Sequence, residues 1–392
     1  MEDFSLMWLR SCEPQAGLAD SAFMKLVLPI LLSVLLPSIA FSAEATFYIG
    51  TYTKPGKSEG VYVSKLDTDT GKLGLVELAG KAASPSYVAL SPDGKFLYAA
   101  VESGKGAVAA FAVGAGGKLT ALNEQPAGGD GTCHIWVDAT GKNVLAANYG
   151  GGSIVGFRAN ADGSLGERSF FQQYEGTGPD KGRQEKPHAH AIYTDSTNQF
   201  VYACDLGTDN VWTYRFDAAK GVLKAAEPAS AKVPPGAGPR HLAIHPNGRF
   251  AYANNEMGLS VTAFTRDTTT GALAPVQTLS TLPEGTPTNG VSTAEIFCHP
   301  TGKWLYASNR GHNSIAVYAI AADGKLTWIE TAPAGVKVPR GFGIDPTGQW
   351  LVAAGQEDDK IAVLKIDAAT GKLTPNGSTA EVGAPVCIIF QR

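Results

Sequence analysis

Residues 84–102 read SPSYVALSPDGKFLYAAVE: a short apolar run, a turn, a second apolar run and a polar end. The phrase returns as TCHIWVDATGKNVLAANYG from Thr132, KPHAHAIYTDSTNQFVYACDLG from Lys186 and GPRHLAIHPNGRFAYANNE from Gly238. Two more copies are STAEIFCHPTGKWLYASNRG from Ser292 and VPRGFGIDPTGQWLVAAGQ from Val338. A third run and often a TGKL-like turn follow, as in AVAAFAVGAGGKLTALNE from Ala107 and IAVLKIDAATGKLTPNG from Ile361. Each unit is then a four-stranded β-meander. An all-β repeat of about fifty residues is the pattern of propeller blades.

The number of blades follows from the ends. The turn glycines Gly94, Gly141, Gly248, Gly302 and Gly348 are 47, 107, 54 and 46 residues apart, and the long interval holds two units because one has Asn198 at its turn. ATFYIGTYT from Ala45 reads as the second strand of a further unit, with GVYVSKLD and LGLVELAG as its third and fourth strands. GAPVCIIF from Gly383 supplies the missing first strand. Head and tail pair in one sheet, which predicts a closed all-β ring of seven blades with both termini tied down.

Composition agrees. A hydrophobic share of 44% with 46 Gly and 23 Pro suits many short strands and tight turns. A formal charge of −4, a pI near 6.0 and the lack of any basic stretch argue against nucleic acid as a partner. Met24-Lys25 is followed by LVLPILLSVLLPSIAFSAEA, an apolar run with small residues after it. This is the pattern of a secretory signal peptide, with Met24 as its start and cleavage after Ala40, Ala43 or Ala45. The expected organisation is an extension and leader over residues 1–45, removed on export to the periplasm or outside, and one propeller over residues 46–392. No stable membrane span remains, and a monomer is expected. Four cysteines stay in the mature part, Cys133, Cys204, Cys298 and Cys387, each in a strand of a different blade. They read as single buried thiols rather than disulfides.

Aligning the first strands gathers the unusual residues. One column holds Ser86, Cys133, His188, Arg240, Ala294 and Arg340; the next holds Tyr87, His134, Ala189, His241, Glu295 and Gly341. A third holds Val88, Ile135, His190, Leu242, Ile296 and Phe342, which makes His190 a polar outlier among aliphatics. The loops after the second strands return to the same end of each blade. They carry Glu102, Asn148, Asp205, Asn255-Glu256, Asn309-Arg310 with His312, and Gln356-Glu357. Two sets of polar side chains thus converge on one mouth of the central channel. Charges held there at a desolvation cost mark a binding site.

Bland readings stand beside this one. Arg240 and Arg310 are also placed to bridge Glu295 and Glu256 for structure alone, and Arg340 is either a third anion contact or such a bridge. His245, His299 and Asp345 lie in HP and DP turns and read as turn hydrogen-bonders. His188 and His190 are two apart, on one face of a strand, a spacing that ligates metals. The sequence offers no further histidine or carboxylate at fixed spacing, so neither metal nor cofactor is expected.

YIGTYT, NYGGGS, PHAH, GPRH with HPNG, NNE, AEI with HP, and SNRGH followed by SIAV run in this order through residues 46–390. In this order they resemble the seven-bladed-propeller lactonase family, which groups bacterial 6-phosphogluconolactonases of the propeller type with fungal carboxy-cis,cis-muconate cyclases. The resemblance implies a catalytic cluster of one histidine, two arginines and a glutamate, which fall here on His188 or His190, Arg240, Arg310 and Glu256. His134, Asn148, Asp205, His241, Glu295 and Arg340 complete the candidate substrate-binding set. The implied chemistry is hydrolysis of a sugar lactone, such as gluconolactone or 6-phosphogluconolactone, with Glu256 or His190 as base. His188 or His134 is then the proton donor to the leaving alkoxide. A cycloisomerase acting on an unsaturated dicarboxylate, and a binding or scaffold propeller without activity, are the competing readings.

Overall fold

The computed structural model describes residues 43–391 except residue 55. Most of the leader predicted at residues 1–45 therefore lies outside the described residues. Seven four-stranded antiparallel sheets form the structure. The first blade pairs Glu44–Thr51, Gly60–Asp67 and Glu77–Lys81 with Pro385–Phe390 from the other end of the chain, as the repeat predicted. The inner strands of the other six are Pro85–Leu90, Thr132–Val137, Ala189–Thr194, Pro239–Ile244, Ser292–Cys298 and Pro339–Ile344. Each packs on the inner strand of the next blade. Pro385–Phe390 packs on both Pro339–Ile344 and Pro85–Leu90, which closes the ring.

Blades converge toward the axis, so the second strands use small side chains where sheets press together. Ala99, Ala146, Ala203, Ala253, Ala307 and Ala353 are wholly buried. Further out the gaps are filled by aromatic rings whose hydroxyls need partners. Tyr98, Tyr202, Tyr252 and Tyr306 solve this alike: each donates to the carbonyl of a turn glycine in the next blade (Gly163, Gly271, Gly324 and Gly371) at 2.8–3.0 Å. These glycines have φ between 73° and 83°, a left-handed conformation that a side chain resists. At the other turn of each blade, Asn198 takes φ 56° where its counterparts are glycine, and its amide bonds to Asp138 and Ala139 of the preceding blade.

One irregularity recurs in every blade and positions the site. The pairing of first and second strands slips by one residue at the mouth end. The extra residue of such a bulge is unpaired and its side chain is re-aimed. The bulge residues are Ser86, Cys133, His190, Arg240, Arg340 and Val386, with Ala294-Glu295 at the slip in the sixth blade. The columns of the first-strand alignment are thereby corrected. In the blade from Lys186 the register sets His190, not His188, beside Arg240 and Arg340, and Ile192 continues the aliphatic column. His190 is a bulge residue rather than a misplaced core residue, and the bulge breaks the simple alternation that put both histidines on one strand face.

Candidate active site

Five bulge residues, Ser86, Cys133, Arg240, Arg340 and Val386, line a cavity at the hub together with Tyr87, Glu102, His241 and Glu295. It offers about 10 Å³ to the centre of a water-sized sphere, room for about one water.

Arg240 is the centre of the arrangement and is 2% exposed. Its Nε lies 3.1 Å from Glu256 Oε2 without the alignment of a hydrogen bond. Its Nη1 faces His241 Nε2 at 3.1 Å and His190 Nδ1 at 3.5 Å. Arg310 places Nη2 3.0 Å from the same Glu256 oxygen and donates to the Thr293 carbonyl, while its Nε finds no hydrogen-bond partner. Arg183 closes the cluster from the loop before PHAH, giving its Nη2 to Glu256 Oε1 at 2.7 Å and to the Tyr149 hydroxyl at 3.0 Å. Burial opposes ionisation of Glu256, but Arg310, Arg240 and Arg183 outweigh it and hold the carboxyl down at about 2. A carboxylate so firmly ionised is a clamp for guanidinium groups and a weak base. The alternative reading, in which these arginines bridge Glu295 as well as Glu256, does not form, since both Arg240 and Arg310 meet Glu256.

Glu295 instead bonds His241, Oε1 to Nδ1 at 2.7 Å, and the same oxygen accepts the Ile296 N–H. Burial raises Glu295 to about 8, and burial together with Arg240 and Arg340 pushes His241 well below its ordinary value. The contact is therefore a hydrogen bond between neutral groups near pH 7 rather than an ion pair. His190 is depressed likewise, by burial first and then by Arg240 and His241. His134 packs between the rings of Tyr87 and Tyr193 at 4.3 and 4.7 Å, also held neutral, with Nε2 unpartnered.

His188 sits further out, stacked on Tyr149 at 4.5 Å. Its Nδ1 is 3.0 Å from the Tyr149 carbonyl and its Nε2 3.2 Å from Glu185, so both ring nitrogens face oxygen acceptors. Arg340 lies over the Tyr52 ring at 5.2 Å, and the Tyr52 hydroxyl donates to Glu102 at 2.9 Å. Asn148 and Asp205 stand apart from this network. Asn148 is spent on Thr132 and Ser153 within its blade. Asp205 orders the following turn through Gly207 and Thr208 and receives the His188 N–H.

The structure thus joins His190, Arg240, Glu256 and Arg310 with His241, Glu295 and Arg340, and adds Arg183, Tyr149, Tyr52 and Glu102. Tyr149 and Tyr52 lie within NYGGGS and YIGTYT, which carried the repeat and the family resemblance but no site role, while Glu102 already stood among the mouth loops. Arg183 lies in residues 174–188, a run of mixed charges with no strand of its own, and loops of that length are often functional. Among the described residues, no three His, Cys, Asp or Glu side chains are grouped to hold a metal ion. The four cysteines are free, Cys298 only half-buried, and burial raises every thiol. No helix among the described residues is long and apolar enough to cross a membrane.

Known proteins share this architecture. The chain is 38% identical over 346 residues to the 6-phosphogluconolactonase of Bacillus subtilis (strain 168), covering 88% of this chain and 97% of that one. It is 32% identical to the 6-phosphogluconolactonase of Formosa agariphila, with 83% and 94% covered. The solved structure of the periplasmic gluconolactonase of Pseudomonas aeruginosa superposes with a TM-score of 0.83 at 27% identity, covering 89% of this chain and 99% of that one. The family described as "Lactonase, 7-bladed beta-propeller" matches residues 46–390. With sheets, closing strand and match over the same residues, the chain belongs to the seven-bladed β-propeller lactonase family.

Proposed function

We propose that this protein is an exported lactone hydrolase that opens a sugar lactone of the gluconolactone or 6-phosphogluconolactone type to its hydroxy acid. The observation that carries this reading is a pair of buried guanidiniums, Arg240 and Arg310, each with an Nε–H lacking a hydrogen-bond acceptor and both facing one mouth beside neutral imidazoles. Buried N–H groups without acceptors are costly unless a ligand supplies the oxygen.

In this reading the lactone carbonyl oxygen meets Arg240 and Arg310, whose charge stabilises the oxyanion as it forms. Water attacks the carbonyl carbon and gives its proton to His190 Nδ1, whose 3.5 Å contact with Arg240 Nη1 gives way as that guanidinium turns to the oxyanion. That imidazole is unprotonated at neutral pH because burial and Arg240 disfavour its cation. Negative charge gathering on Arg240 cancels the field that suppresses His190, so its basicity rises as the transition state is approached. The tetrahedral intermediate then collapses, the bond from carbonyl carbon to ring oxygen breaks, and the alkoxide takes a proton from His188, which faces acceptors on both ring nitrogens. Glu256 keeps the arginines aligned. A sugar lactone is far larger than the hub cavity, so it binds above it, with the Arg183 side chain displaced from Glu256.

Export rests on the apolar leader after Met24 and Lys25. The test is a stopped-flow assay of glucono-δ-lactone, its 6-phosphate and a muconate-type dicarboxylate, each against a careful buffer blank. Hydrolysis above blank by the parent protein, lost with Arg240→Ala, supports the reading. Turnover confined to the dicarboxylate would replace hydrolysis by cycloisomerisation, and turnover of none would leave a binding propeller. Cell fractionation checks export.

A further inference from the structure

We infer that Glu295 is a positioning residue for Arg240, acting through His241: by accepting the Nδ1 proton it fixes the imidazole tautomer whose Nε2 lone pair holds the guanidinium. The inference rests on the role given to Arg240 above.

Arginine carries only donors. Where Arg240 Nη1 meets His241 Nε2 at 3.1 Å, the histidine nitrogen must therefore be the acceptor. A neutral imidazole accepting at Nε2 carries its proton on Nδ1, and that proton points at Glu295 Oε1, 2.7 Å away. Glu295 itself cannot drift, because the same oxygen takes the N–H of Ile296 and the Glu295 backbone N–H is held by Ser308 Oγ. His241 is held as well, its N–H bonded to Asn254 Oδ1.

Every group packed on the ring leaves this tautomer undisturbed. Tyr87, His134 and His190 meet it edge-on, with centroids 5.2–5.6 Å away. The cationic groups Arg240, Arg340 and Arg310 act on its charge together with Glu256, and the net effect with burial is a neutral ring. If the proton moved to Nε2, a donor would face a donor and Arg240 would lose one of its two imidazole contacts. Such contacts matter more for this arginine than for most, since its Nε already lacks an aligned acceptor. The chain contains its own contrast. His245 and His299 give Nε2–H to the carbonyls of Gly302 and Gly348 at 2.8 Å, while their Nδ1 atoms accept backbone N–H groups. Those two turn histidines hold the opposite tautomer.

The experiment is nitrogen NMR on protein labelled in its seven histidines, with His241→Asn used to assign the resonance. In the parent, His241 should report Nδ1–H and His245 and His299 Nε2–H; an Nε2–H or doubly protonated His241 overturns the inference without any variant being made. Kinetics then separate acceptor from charge. Glu295→Gln keeps an oxygen for both N–H groups and should hold kcat/KM within about fivefold of the parent. Glu295→Met has no acceptor and should lower kcat/KM by roughly a hundredfold, mostly in kcat, with His241 no longer locked as Nδ1–H. A Met variant with the tautomer and rate intact, or a Gln variant as damaged as the Met variant, overturns it. If the parent opens no lactone, the functional reading falls, while the tautomer measurement still decides the lock.

Discussion

Arg240 and Arg266 are both buried, both on β-strands of the fifth blade, and lie toward opposite ends of it. Arg266 is saturated. Its Nε bonds the Tyr202 hydroxyl at 2.7 Å, Nη1 the Gly248 carbonyl at 2.8 Å and Nη2 Asp195 at 2.7 Å. Asp195 in turn caps its own turn through the N–H groups of Gln199 and Phe200. Arg240 has a misaligned contact to Glu256 and two neutral imidazoles. The difference is one of saturation: Arg266 has a protein acceptor for each of its three nitrogens and Arg240 does not, which in the proposed reading separates a charge that serves the fold from one kept for another molecule.

The sharpest way to break that contrast is to remove each arginine. Arg266→Ala leaves Asp195 buried without its cation, so unfolding free energy should drop by about 3–5 kcal/mol in urea titration. Lactone turnover per folded molecule should stay near the parent's. Arg240→Ala should do the reverse. Glu256 keeps Arg310 and Arg183, so the denaturation midpoint should hardly move, while kcat/KM falls about 10²–10³-fold, or about 2.7–4 kcal/mol of transition-state stabilisation. A stability loss in Arg240→Ala as large as in Arg266→Ala would make both arginines structural.

Glu256 and Glu295 sharpen the comparison within the mouth. They face one cluster yet titrate in opposite directions, Glu256 down to about 2 and Glu295 up to about 8. The folded value for Glu256 lies below its ordinary 4.5. Its ionisation therefore stabilises the fold above about pH 4.5, and that contribution is lost as pH falls toward 2, on the order of 3 kcal/mol in all. Urea midpoints of Glu256→Gln should be flatter than the parent's across that window. For Glu295 the sign is reversed: protonation in the fold stabilises below about 4.5, and the advantage fades as pH rises through 8. Glu295→Gln should lose less stability than the parent between pH 5 and 8. Parallel profiles for parent and variants would detach both carboxyls from the acid and alkaline limbs.

How far the sequence carried this reading depends on register. The ring, its seven blades and the shared strand at its ends were legible because apolar runs and turn glycines repeat at nearly constant spacing, and Asn198 was recognisable as a stand-in for glycine. Arg240, Glu256 and Arg310 were legible because GPRH, NNE and SNRGH fall at matching points of the repeat. PHAH was not. Every blade carries the bulge, and where the opening residue is Pro85, Pro239 or Pro339 the bulge residue follows it directly, whereas Pro187 stands three residues before His190; aligning on the opening proline therefore put His188 where the structure has His190. Arg183 was hidden for another reason. It comes from a loop outside the repeat, and only folding brings it within 2.7 Å of Glu256.

That loop gives the smallest effect. Arg183 is the one arginine on Glu256 with substantial exposure, 44% of its side chain against 15% for Arg310 and 3% for Arg240. An exposed charge is screened, and its pairing contributes about 1 kcal/mol or less. Arg183→Ala should therefore change kcat/KM by no more than about fivefold. In the proposed binding mode a lactone displaces this side chain from Glu256, so the same substitution removes a competitor and should not raise KM for an unphosphorylated lactone. A substrate carrying a phosphate is different, because the displaced guanidinium is free to pair with it. Comparing KM for glucono-δ-lactone and its 6-phosphate in the parent and Arg183→Ala measures this directly. A rise confined to the phosphorylated lactone would make Arg183 a phosphate contact, while an equal rise for both would show that it shapes the mouth for any lactone and is not displaced from Glu256.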